Sequence, residues 1–279
     1  MKTELERGFA AIGARVVVTP VSARDRRIGR QWMTPRMASS PMLVDVKRDP
    51  RGRGDERFTV AHHSDSDVRV INVNASLRHL VLTLKPKDHP ARRTFLCGRD
   101  ESHWFVAAIP ERANARNVQD ALDALKPAEV WESIRRHDVP QSQWNLRRTA
   151  AFVRQGEWFF IPRPAADAQA TAVRRREPLS RGLGSQMHWC EEVFRTGGET
   201  VWVSDRFPRG LSDEQHRALP EETRKRLYWR RMTRNATAFA RGWVRHRDHA
   251  TITLEGWHEI VMNTESQATA MRQQVVFLD

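Results

Sequence analysis

The chain has 279 residues, 39% of them hydrophobic, and carries a formal charge of +13 with a pI near 11.0. That is material enough for one large core or two modest ones, and the charge points to an anionic partner, nucleic acid first. Two cysteines, Cys97 and Cys190, exclude a disulfide framework and a four-cysteine zinc site. No run approaches the roughly 20 apolar residues of a membrane span, and the opening MKTELERGFAAIGARVVVTP lacks the features of a secretory signal. A cytoplasmic protein without a membrane partner is expected. Six lysines stand against 41 arginines. Such a bias also reflects GC-rich coding in a bacterial-type protein, so part of the charge is compositional.

Residues 1–40 read as a basic, flexible arm or linker, able to meet a protein partner, with a short amphipathic helix over 3–13. The stretch SARDRRIGRQWMTPRMASSP has no clear period and is broken by proline. Residues 41–279 read as a β-rich body, packed either as one unit or as two interlocked halves divided near 165–180. Alternation predicts strands in PMLVDVKRD, RFTVAHH, DVRVINVN and LRHLVLTLK. ARRTFLCG-RDE-SHWFVAAIP is a hairpin. A three-residue loop, Arg99-Asp100-Glu101, places Cys97 across from His103, and a two-residue loop shifts that register by one.

The segment 117–137 is helical, with Asn117 as cap and Val118, Ala121, Leu122 and Leu125 as one stripe, then a second turn of helix from Pro127. MHWCEEVFRT-GG-ETVWVSDRF reads as a hairpin turning at Gly197-Gly198. Ser212 with Gln215 forms a capping box opening helical structure over about 212–235. The chain closes with strands around TAFARGWVRH-RD-HATITLEGWHEIVMN. The expected class is therefore α+β, strand-dominated and antiparallel, without βαβ alternation.

The candidate sites follow from charge and histidine. Residues 224–249 interleave arginines with aromatics, as surfaces that meet phosphates and bases do. The expected nucleic-acid contacts are Arg224, Lys225, Arg226, Arg230, Arg231, Arg234, Trp229, Arg241, Arg245 and Arg247. Arg226, Arg230 and Arg234 would form one stripe if the run is helical. His246 and His249 flank the turn Arg247-Asp248 and face each other about 5 Å apart at Cβ, close enough to share a metal or a phosphate. His258 joins them only if a bulge at Glu255-Gly256 turns it round.

Three further constellations stand out. Cys97 with His103 is either a thiolate–imidazole pair or a small buried side chain beside a histidine. His188, Cys190 and Glu192 alternate on one strand, as core residues or as ligands. His249-Ala250-Thr251 is similar to the His-x-Thr element of two-histidine phosphoesterases, with His62-His63-Ser64 the nearest second copy. No Walker loop, dinucleotide fingerprint, zincin helix or nucleophile elbow occurs. The expected function is non-catalytic nucleic-acid binding through 224–249. The alternatives are a phosphodiesterase or nuclease centred on His246 and His249 with His258, and an adaptor subunit of a larger assembly. The composition defines no cofactor.

Overall fold

The computed structural model describes residues 3–20, 42–47, 56–62, 66–85, 92–164, 166, 172–179 and 186–267. Contacts divide the chain into two units. One runs through Lys126 and takes in the segment from Thr264, and the other runs from Pro127 to Asn263. The strands Trp158–Pro162 and Arg174–Leu179 belong to one sheet, whose ladder binds them together.

The first unit starts with helix α1 (Glu4–Ala11), held by a capping box between Thr3 and Glu6. Strands β1 (Val16–Pro20), β2 (Met42–Lys47) and β3 (Arg57–His62) form a sheet of order β1-β3-β2, with β1 parallel to β3. Strands β4 (Asp67–Asn74), β5 (His79–Lys85), β6 (Arg93–Asp100) and β7 (His103–Ile109) pair antiparallel in chain order. Strand β5 is buried from Leu80 to Leu84, apolar but for Thr83, because it is covered on both faces. Leu80, Leu82 and Leu84 enter a core with Phe9, Ile12 and Phe58, and Val81 packs with Val118, Ala121 and Leu125 of and beyond helix α2 (Val118–Ala124). Asn117 caps that helix, accepting from the Asp120 amide at 2.8 Å.

Two expectations change here. Residues 4–18 are no arm: Leu5, Phe9 and Ile12 sit in the core and Val16 and Val18 pack against it. The helix expected over 3–13 forms, and its apolar stripe is what docks it. Residues 21–41, which hold the rest of the expected arm, lie outside the described residues. The β6–β7 turn contains two residues, so Asp100 pairs with His103 and Cys97 with Val106. Cys97 and His103 therefore lie on opposite faces. Cys97 is fully buried, which pushes its thiol pKa up, and His103 Nδ1 lies 2.8 Å from Glu56. The thiolate–imidazole pair does not form.

The second unit contains α3 (Ala128–Arg136) and the strands β8 (Val153–Gln155), β9 (Trp158–Pro162), β10 (Arg174–Leu179), β11 (His188–Thr196), β12 (Glu199–Ser204) and β13 (Phe207–Leu211). After the short helices α4 (Asp213–Arg217) and α5 (Glu221–Arg226) come β14 (Arg230–Arg234), β15 (Thr237–His246) and β16 (His249–Met262). A six-stranded antiparallel sheet has the order β10-β11-β15-β16-β9-β8, and a three-stranded sheet the order β13-β12-β14. Alternation along β9 feeds two cores. Trp158 and Phe160 join Cys190, Val193, Val244 and Leu254, whereas Phe159 and Ile161 join Val130, Ile134 and Phe152 around α3.

Gly197-Gly198 is not a hairpin turn. Thr196 pairs with Thr237 and Glu199 with Arg234, so β11–β12 and β14–β15 form one long ribbon that passes from the larger sheet into the smaller. The glycines sit in its bend at φ +68° and +82°. A Cβ on Gly198 would lie 2.8 Å from the Arg234 carbonyl oxygen, so only glycine lets the strands cross so closely. The same pairing corrects the helix expected over 212–235. It ends at Arg226, and Arg230–Arg234 is a strand because β12 offers a hydrogen-bonding edge and the buried Val201 and Val203 as neighbours. Among the described residues no helix is long and apolar enough to cross a membrane.

Candidate functional site

Two features of the second unit carry chemistry. The first is a cavity of about 670 Å³ where β10, the end of β11 and β14 approach one another. Arg174, Arg195, Arg230 and Arg231 line it, with Thr196 and Thr233, and among the described residues no acidic side chain belongs to its lining. Glu177 is the nearby counter-charge, 3.1 Å from Arg195 and 3.8 Å from Arg174. One carboxylate thus faces two guanidinium groups, and Arg230 and Arg231 are exposed beside them. Arg231 also lies over Trp202, 5.6 Å from the ring centroid.

The expected basic residues divide by partner. Arg234 is held by Glu199 at 2.7 Å and by the carbonyls of Arg209 and Gly210, which makes it a structural clamp. Arg241 binds Glu192 through two nitrogens and lies over Trp257, and Arg245 lies over Trp243. Lys225 pairs with Glu221 on α5, whose last turn also carries Arg224 and Arg226. Trp229 stacks on Phe207 and donates to the Arg224 carbonyl. Arg247 is exposed in the β15–β16 turn. The sequence reading missed Arg174 and Arg195, because only sheet pairing brings β10 and β11 beside β14.

The second feature is a histidine cluster. His246 pairs with His249 across the turn Arg247-Asp248, as the spacing suggested. The third imidazole is His188, from the start of β11, and one ring nitrogen of each histidine lies within 4.8 Å of the others. His188 is almost wholly buried, 4.2 Å from the His246 ring and 5.7 Å from the His249 ring, centroid to centroid. The β8–β9 turn returns to the same place. A Cβ on Gly156 would lie 3.1 Å from Nε2 of both His188 and His249, and Gln155 Nε2 donates to the carbonyls of Val244 and Ala250.

His258 stands apart. The strand is irregular between Leu254 and His258, which places His258 opposite Ala240 and Pro162, well along from His246. Its Nδ1 donates to the Gly256 carbonyl at 3.0 Å. Glu192 also leaves the expected set, because a register shift after Cys190 turns it towards Arg241. Cys190 remains inward, its thiol pushed up to about 12 chiefly by burial. Of the paired His-x-Thr elements, His62 belongs to the first unit and His249 to the second, while His63 and Ser64 lie outside the described residues.

Burial holds the His258 pKa below its ordinary value. The Gly256 carbonyl opposes this and the charge of Arg148 adds to it. As pH falls below about 6.5 the unfolded histidine takes a proton that the folded one refuses, so stability drops, and the loss levels off once pH passes below the folded pKa. Urea midpoints measured from pH 8 to 5 are expected to fall, and His258→Gln to flatten part of that slope. Equal slopes in both proteins would show that His258 contributes nothing.

The fold and these features define a strand-rich α+β protein with an arginine-lined cavity and a three-histidine cluster of which His188 is buried and His246 and His249 are half-buried. No family model matches the chain, and no curated protein or solved structure matches it.

Proposed function

We propose that the chain binds nucleic acid, without catalysis, through the arginine face of its second unit. The observation that supports this best is the cavity whose described lining holds four arginines and no acid. Guanidinium forks suit phosphate oxygens. A concave site where positive charge outnumbers negative concentrates a polyanion through counter-ion release. Trp202, stacked on His216, carries Arg231 and so helps to hold that guanidinium at the cavity. Phosphodiester hydrolysis at His246 and His249 with His258 as third group has less support, because His258 lies elsewhere along β16.

The test is fluorescence anisotropy with labelled single-stranded and duplex oligonucleotides over a salt series. Affinity is expected to fall steeply with salt. Arg230→Glu with Arg231→Glu should weaken binding at least tenfold and reduce the salt slope by about 1.4–1.8, the share of two phosphate contacts. Both side chains are exposed, so the melting temperature should hold. Salt-independent binding, or a double variant that binds like the parent, would sink the proposal.

A further inference from the structure

The histidine cluster is a separate feature from the arginine cavity: His188 opens β11, and the cavity meets Thr196 at the strand's other end. We infer that His188, His246 and His249 form a binding site for a single divalent transition-metal ion of the zinc class. Three observations converge. Three imidazole nitrogens from three adjacent strands lie within 4.8 Å of one another. The β8–β9 turn closes over them with glycine at the point of contact, where a Cβ would crowd two of the Nε2 atoms at 3.1 Å. Beside that turn, Gln155 Oε1 and Trp158 Nε1 are buried with no hydrogen-bond partner among the described residues. An acceptor and a donor so placed suit a polar ligand such as metal-bound water.

The chemistry selects the ion. Imidazole suits zinc, cobalt, nickel and copper, whereas hard calcium and magnesium demand oxygen donors. Three histidines leave a fourth position open, as in catalytic rather than structural zinc sites. A tetrahedral ion about 2.0–2.1 Å from each nitrogen needs those nitrogens roughly 3.4 Å apart, so the rings, which lie at 20°, 22° and 32° to one another, must turn on binding until their in-plane lone pairs converge. His246 Nδ1 accepts from the Asp248 amide at 3.1 Å. An ion on Nδ1 displaces that amide, and an ion on Nε2 moves the ring proton to Nδ1. Either way the Asp248 amide loses its acceptor, and binding weakens in acid as protons compete for the nitrogens.

The experiment titrates the tag-free 279-residue chain with Co²⁺ at neutral pH, following the d–d absorption, and then displaces it with Zn²⁺. One equivalent should bind with visible bands of nitrogen-coordinated, four- or five-coordinate cobalt. His246→Gln and His249→Gln should each weaken binding at least tenfold, and His258→Gln should leave it unchanged. In the parent protein the Asp248 amide resonance should shift at one equivalent, a readout independent of any variant's folding. The inference is overturned if the parent binds no stoichiometric cobalt. It is equally overturned if His246→Gln with His249→Gln binds like the parent, or if His258→Gln removes the site. None of these outcomes bears on nucleic-acid binding, whose test uses other residues.

Discussion

Phe9→Ala is expected to cost about 3–5 kcal/mol, the range for emptying a buried aromatic site. Phe9 has no exposed surface and its ring lies 4.8 Å from that of Phe58, which in turn meets Trp104 at 5.5 Å. Truncation therefore opens a hole at the centre of the first unit's core, bounded by sheet strands that cannot relax into it. The loss is a large fraction of a domain's total stability of about 5–15 kcal/mol. Denaturant titration followed by circular dichroism checks it. A midpoint unchanged in Phe9→Ala would mean that α1 is a detachable arm. Glu4→Ala, on the exposed side of the same helix, should change little and serves as the control.

Trp158→Ala should be comparably severe in the second unit, about 3–5 kcal/mol. Its side chain is 1% exposed and belongs to the core with Phe160, Cys190 and Val244. It also lies edge-on to His188, with ring centroids 6.5 Å apart. The cavity would thus open under the histidine cluster as well as in the core. Trp158→Phe keeps most of the volume and should cost much less. Calorimetry on both variants decides the matter, and a loss below about 1 kcal/mol in Trp158→Ala would mean that the site collapses or that the ring is not packed as described.

Much of the local structure was legible because its causes are local. Asn117 and the Ser212–Gln215 box mark helix starts whatever surrounds them, since their side chains satisfy backbone amides three residues away. The turn Arg247-Asp248 made His246 and His249 neighbours by register alone. Strand dominance followed from period-two alternation, as in Asp67–Asn74, where intermediate and exposed residues alternate.

Tertiary structure decided the rest, for reasons that no window of sequence contains. Arg230–Arg234 suits a helix or a strand equally well, and β12 settled it by offering ladder hydrogen bonds and apolar neighbours. Gly197-Gly198 has the residues of a hairpin turn, but strands from beyond Arg230 paired with both of its arms and made it a bend. Phe9 looked like part of a basic arm until a strand fifty residues later supplied Phe58 to pack on it. The histidine cluster shows the division most clearly: the hairpin brought two imidazoles together, and sheet order chose the third. His188 joined because β11 lies beside β15, and His258 did not because an irregularity in β16 placed it opposite Ala240. Side-chain convergence across strands depends on pairing and bulges, which are properties of the assembled sheet and not of any one strand.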